Sequence, residues 1–147
     1  MKKQRVLFVD SDNSGCSQML EGLLRVLYQE RFEAYSAGVK PGRVNSGVIK
    51  AMGEIGIDLF THRSKSIDEF RDMTLDYVVS IDSVSQNIYK FLPNCKAYLQ
   101  VSFDDCQLES PEKNHEQVLA RVRKTRDEAR NWIIATFGES MKNPSSP

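Results

Sequence analysis

The chain has 147 residues and a mass of 16.8 kDa, a size that suits one domain and is too short for two ordinary ones. At 40% hydrophobic it can build a core, which excludes wholesale disorder. Lys and Arg total 20, as do Asp and Glu, so the net charge is zero, a poor basis for nonspecific binding to nucleic acid or to a membrane surface.

No apolar run approaches the roughly 18 residues of a membrane span, and the four apolar residues between Arg5 and Asp10 are too few for a signal peptide. Cys16, Cys95 and Cys106 are odd in number and lie at no metal-ligand spacing. They predict a reducing cytoplasm and no disulfide framework.

Val6-Leu7-Phe8-Val9 is a continuous apolar run that predicts a strand buried on both faces, as in a parallel sheet. Asp10 to Gly15 is a polar loop. Met19, Leu20, Leu23, Leu24, Leu27 and Tyr28 then recur at helical spacing, which predicts a helix from about Ser14 to Gln29, capped by Ser14 or Asn13. Phe32, Ala34 and Ser36 alternate as a second strand, and Ala37 to Arg43 is a Gly- and Pro-containing loop. Asn45 can cap a second helix that buries Val48, Ile49, Met52 and Ile55 and ends at Gly56. Residues 58–65 read as loop, and Ser66 to Phe70 as a short helix start.

Asp76 to Ile81 and Ala97 to Val101 read as the third and fourth strands, with a helix over residues 83–91 stopping before Pro93. A final helix from Glu112 to Phe137 places Val118, Val122, Ala129, Ile133 and Phe137 on one face. The charged run Arg121 to Arg130 is then its solvated side, with i,i+4 pairing. Residues 1–138 form the expected domain and 139–147 a flexible, polar tail. Strands alternating with helices predict an α/β fold with a parallel sheet, whose ligands bind beyond the carboxyl ends of the strands. The loops after Val9, Ile81 and Val101 are therefore the ones that matter.

The first strand and the segment Ser17-Gln18-Met19-Leu20-Glu21-Gly22 resemble the start of the low-molecular-weight protein tyrosine phosphatases, and more closely that of their relatives, the thioredoxin-coupled arsenate reductases. Tyr35-Ser36-Ala37-Gly38, Pro41 to Asn45, Glu54 to Asp58, His62 to Ser66, Asp76 to Val79 and Ser102 to Asp105 are similar to the same family, in order, from about residue 5 to 135. The resemblance implies a three-layer α/β fold, a four-stranded parallel sheet in the order 2-1-3-4 flanked by helices.

In that family the loop reads Cys-Thr-Gly-Asn-Ser-Cys-Arg-Ser. Its first Cys is the nucleophile, and its backbone N–H groups and Arg hold a tetrahedral oxyanion at a helix N-terminus. Here the loop reads Asp10-Ser11-Asp12-Asn13-Ser14-Gly15-Cys16-Ser17. Asp10 stands at the nucleophile position, Cys16 at the Arg position and Asp12 at the Gly position. The two further redox cysteines of the arsenate reductases correspond to Asp82 and Tyr89, and Asp105 matches the general acid. By this correspondence Asp10, Cys16 and Asp105 occupy the catalytic positions, and Ser11, Asp12, Asn13, Ser14, Gly15 and Ser17 the anion loop.

The substitutions reverse the sign of the site. Two unit charges about 4 Å apart interact by roughly 4 kcal/mol at an effective dielectric near 20. A phosphate or arsenate dianion facing Asp10 and Asp12 meets several such repulsions, and the bidentate Arg that would offset them is gone. The expectation is a catalytically inactive relative kept as a binding or regulatory module. Other readings stay open. Cys16, at a helix start, is either a small replacement for Arg or a reactive thiol. A buried strand followed by Asp-x-Asp also opens haloacid dehalogenase-type phosphatases, and receiver domains begin with a strand and an acid. On that reading Asp10 is a nucleophile beside Mg²⁺, with Asp10 and Asp12 as candidate ligands and Asp82, Asp104 and Asp105 converging nearby.

Some arsenate reductases hold a potassium ion at positions that correspond to Asn13, Glu21, Ser36 and an acid at position 65. Here Lys65 stands in the last of these, so its ammonium could take the place of the ion and pair with Glu21. His62 is expected to pack in its loop, His115 to be exposed, and Tyr77 and Trp132 to belong to the core. The combined expectation is a cytoplasmic monomer with no cofactor and a protein partner, small oxyanion or cation as ligand, with no role for membrane or nucleic acid.

Overall fold

The computed structural model describes residues 2–81, 87–103 and 115–138. Four strands, β1 (Gln4–Asp10), β2 (Phe32–Gly38), β3 (Leu75–Ile81) and β4 (Cys95–Val101), form one sheet in the order β2-β1-β3-β4. All the pairings are parallel, with Phe8 opposite Ser36 on one side of β1 and Val79 on the other. β1 is thus interior to the sheet, and the residues of its apolar run are buried on both faces. β4 lies at an edge and alternates half-buried with exposed positions.

Helices α1 (Cys16–Tyr28), α2 (Ser46–Glu54) and α3 (His115–Phe137) pack on one face, against Val6, Phe8, Val79 and Ile81. The opposite face carries Leu7, Val9 and Val78. It is covered by Phe70 and Ile67 of a short 3-10 helix (Ile67–Phe70), and by Ile88, from a second one (Ile88–Lys90), with Leu92. The first of these 3-10 helices has a capping box between Ser66 and Glu69. Asn45 caps α2 as its residue type predicts, its side chain accepting from Gly47 N and Val48 N.

The expected helix over 83–91 survives among the described residues only as Ile88–Lys90, and 82–86 lie outside them. Pro93 follows within three residues and bars helical continuation beyond it. The first described residue of α3 is His115, which is exposed. Residues 112–114 and the tail 139–147 are outside the described set.

Arg121 to Arg130 differs from its expected i,i+4 pairing. Arg123 and Arg126 instead reach across to Glu54 of α2, and Arg126 also donates to the Ala51 carbonyl at 2.9 Å. The hydrogen bond from Arg123 lowers the Glu54 carboxyl to about 2, with Arg126 adding to the effect against an upward push from burial. These pairs fix α2 to α3 because long arginine stems lie over the helix surface while their heads bridge the gap.

Phe137 closes the core. Its ring meets Phe8, Phe32, Tyr77 and Trp132 edge-on at centroid distances of 6.2, 5.2, 6.1 and 5.8 Å. Tyr77 and Trp132 are partly buried against this cluster, as expected of core residues. Phe137→Ala should lower the unfolding free energy by about 3–5 kcal/mol, read from the urea midpoint.

Candidate active site

The loop between β1 and α1 leaves the carboxyl end of an interior strand, where parallel sheets place their ligands. Its carbonyls are tied down one after another. Asp10 O accepts Val39 N at 3.1 Å, Ser11 O accepts Lys40 N at 2.8 Å, Asp12 O accepts Gly42 N at 3.0 Å, and Ser14 O accepts Asn45 N at 2.8 Å. Gly38 lies directly against the loop, and a Cβ there would come within 2.7 Å of the Asp12 carbonyl carbon. No side chain fits at that position without moving the loop backbone.

The carboxylate of Asp10 turns back into the loop. Oδ1 accepts Asn13 N at 2.7 Å and Oδ2 accepts Ser17 N at 3.1 Å. Ser17 is the second residue of α1, so Asp10 acts as a helix cap from seven residues away. The expected cap, Ser14 or Asn13, is not used. Gly15 stands at the N-cap position, where it has no side chain to offer. The reason is Asn13, whose φ of 58° turns the chain left-handed and directs its amide elsewhere. Burial pushes the Asp10 carboxyl up to about 6, more than the hydrogen bonds from Ser17 and Asn13 pull it down, and the charge of Asp12 adds to the rise. Asp12 Oδ1 in turn accepts Ser14 N at 3.1 Å and Ser14 Oγ at 2.7 Å. The loop's own carboxylates thus take up three of the backbone N–H groups that an incoming oxyanion would need.

Asn13 is fully buried and satisfied on every side. Its Nδ2 donates to Ser17 Oγ at 2.8 Å, and its Oδ1 accepts Gln18 Nε2 at 2.9 Å and Lys65 N at 2.8 Å. Its carbonyl accepts Ser64 Oγ at 2.9 Å and Gln18 Nε2 at 3.3 Å.

One turn further along α1, Glu21 is buried among cations. Its Oε2 lies 2.8 Å from Arg25 and 3.5 Å from His62 Nδ1, and its Oε1 lies 3.6 Å from Lys65 Nζ. Ser36 Oγ donates to Oε1 at 2.6 Å. Lys65 Nζ also reaches the Arg63 carbonyl at 3.1 Å. Burial lowers the pKa of His62, and the Arg25 and Lys65 charges assist against the opposing pull of Glu21. The ring is therefore neutral at pH 7. Its Nδ1 faces Gln18 Oε1 at 3.0 Å as well as Glu21, so the proton sits there, leaving Nε2 to accept from Arg25.

Cys16 is buried and disulfide-bonded. This corrects the expectation that an odd cysteine count means no disulfide, because an odd number leaves one thiol over and does not forbid a pair. Cys95 is a free thiol. Burial raises its pKa. Asp82, Asp104, Asp105 and Cys106 lie outside the described residues, so the general-acid position and the five-acid convergence do too. Among the described residues no group of three or more His, Cys, Asp or Glu could hold a metal ion.

The structure adds Gln18, Arg25, His62 and Ser64 to the site. A signal was present for part of this group. Gln18, Glu21 and Arg25 form a polar stripe at i, i+3 and i+7 on an otherwise apolar helix, and such a stripe must face a polar neighbour. Ser64 and His62 gave no such signal, because loop residues carry no periodicity.

The fold and the loop define an α/β protein whose first strand and first helix are joined by a loop with backbone N–H groups turned onto its own carboxylates. The profile of the low molecular weight phosphotyrosine protein phosphatases matches residues 5–143, and the chain belongs to that family. It is 33% identical over 142 residues to an arsenate reductase of Halalkalibacterium halodurans, an alignment that covers 97% of this chain and all of the relative. A solved arsenate reductase in the oxidized state superposes with a TM-score of 0.70 at 26% identity, covering 90% of this chain and 95% of that one. Another, in a phosphate-binding state, gives 0.65 at 28% identity over 90% and 97% of the two chains. Among the described residues no helix is long and apolar enough to cross a membrane.

Two outcomes follow from this geometry. The folded Asp10 carboxyl holds its proton to about 6, against 3.8 for the ordinary group. Its ionisation therefore removes stability as pH rises through that window, by up to about 3 kcal/mol. Asp10→Asn has no proton to release and gains no buried charge, so its stability relative to the parent should improve as pH rises from 4 to 7 in urea titrations. Iodoacetamide applied to unreduced, denatured protein should label Cys95 and leave Cys16 unlabelled until a dithiol reductant is added, as read by peptide mass spectrometry.

Proposed function

We propose that this family member does not turn over phosphate esters or arsenate, and serves instead as a binding or regulatory module for a protein partner. The observation that carries the reading is the Asp10 carboxylate, which accepts the Asn13 and Ser17 N–H groups from inside the cradle. A guest dianion must displace a group that is covalently part of the chain, so the competing anion is always present at high effective concentration. It must also do so beside Asp12, without an Arg at position 16.

The two routes to altered chemistry find less support. A thiol route through Cys16 starts from a sulfur that is buried and in a disulfide. An aspartyl route with Mg²⁺ needs both Asp10 oxygens, which already accept backbone N–H groups. Asp12 Oδ1 likewise already accepts Ser14 N and Ser14 Oγ, so further metal ligands would come from Asp82, Asp104 or Asp105.

The test is direct. The protein should hydrolyse p-nitrophenyl phosphate no faster than buffer, with or without Mg²⁺, and should not reduce arsenate with thioredoxin. Inorganic phosphate should leave the amide resonances of residues 10–17 in place. The double variant Asp10→Ser/Cys16→Arg, which frees two N–H groups and restores a guanidinium, should gain phosphate affinity by roughly a hundredfold. Hydrolysis at rates typical of the family by the unaltered chain would overturn the reading.

A further inference from the structure

The far end of the sheet carries a second charged site. Because the strands are parallel, their amino ends gather on the edge opposite the loop, separated from it by the length of β1, about 20 Å. A cleft of about 200 Å³ opens there, lined by Lys2, Lys3, Arg5, Thr74, Asp76 and Lys96 together with the Gln4 backbone segment. Four cations from the N-terminal segment, β1 and β4 meet one carboxylate in a chain whose overall charge is zero.

The Asp76 carboxylate is already engaged. Its Oδ2 accepts Arg5 N at 2.8 Å, and its Oδ1 pairs with Lys96 Nζ at 3.1 Å. Burial would raise its pKa, but Arg5 N–H, Lys96 and Lys2 together hold it below the usual range, so it is ionised. Arg5 is less well satisfied. Its Nε is buried with no hydrogen-bond partner, and the nearest carboxylate, Glu33, is an ion pair at 3.8 Å, beyond hydrogen-bond length. Counting Asp76 in the cleft and Glu33 beside it against the four cations leaves an excess of two positive charges.

We propose that this cleft is a binding site for a free dianion of the phosphate class. The charge excess matches such a guest, and a guanidinium beside ammonium groups offers the fork and point charges that tetrahedral oxyanions take. The volume suits a small ion, and a single cleft on a neutral chain lacks the extended basic stripe that a nucleic acid needs.

A heteronuclear NMR titration of the full chain with inorganic phosphate at low salt tests the proposal. It expects saturable shifts at the amides of residues 3–5, Asp76 and Lys96, and weakening as sodium chloride is added. Arg5→Gln, which keeps the backbone bond to Asp76, and Lys96→Gln, whose side chain is mostly exposed, should each weaken binding by roughly tenfold. The same titration reads the loop at residues 10–17 independently. Movement there alone would overturn both this site and the inactive-cradle reading, whereas movement at both ends would overturn only the latter. No saturable shift at the amino ends up to tens of millimolar phosphate, or unchanged affinity in both variants, would overturn the proposed site.

Discussion

The structure of the loop depends on one carboxylate accepting two backbone N–H groups. Asp10 sits where β1 ends, and its oxygens reach Asn13 N and Ser17 N. The first of these bonds closes the left-handed turn at Asn13, and the second caps α1. An anion cradle is a set of N–H dipoles pointing at one spot, and an empty cradle leaves those donors exposed to water or to whatever anion arrives. Here the chain supplies the anion itself. The cost is a buried carboxyl pushed up to about 6. The return is a loop whose donors are satisfied without a ligand.

That arrangement explains why so much of the surrounding polar network is intact. Asn13, Ser17, Glu21 and Ser36 are buried, and each is paired. A buried polar group without a partner costs on the order of 1–3 kcal/mol, so each depends on the others staying in place. Glu21 is the clearest case. It is an ionisable side chain inside the fold, held by Arg25 and Lys65 with a neutral His62 alongside. The two cations come from the helix it shares and from the loop after α2, so the ion pairs fasten that loop to α1. Such a network holds its geometry for reasons of folding alone, whatever chemistry the loop beside it performs.

Much of the fold was legible in the sequence because it rests on periodicity. Val6 to Val9 reads as an interior strand, Met19 to Leu27 as a one-sided helix, and Asn45 as a cap, and each takes that form in the structure. The loop itself could be located by resemblance, but its geometry could not be read. Nothing in the string Asp-Ser-Asp-Asn-Ser says that Asn13 is the residue with positive φ, or that Asp10 and not Ser14 caps the helix. Those outcomes depend on which donors the backbone turn presents, a three-dimensional property. Likewise Arg123 and Arg126 read as members of a solvated run, because their partner Glu54 is 69 and 72 residues away. The disulfide at Cys16 is not legible in a count of cysteines, because only spatial proximity decides which of them pair.

The backbone ladder between the loop and residues 39–45 has a mechanical corollary. Ser14 O holds Asn45 N, and the Asn45 side chain holds the first turn of α2 through Gly47 N and Val48 N. Any rearrangement that lifts residues 10–14 therefore pulls on the residue that starts α2, and α2 is bolted to α3 through Glu54. Strain applied at the carboxyl end of the sheet is thereby transmitted along a lever of three connected pieces to the helical layer.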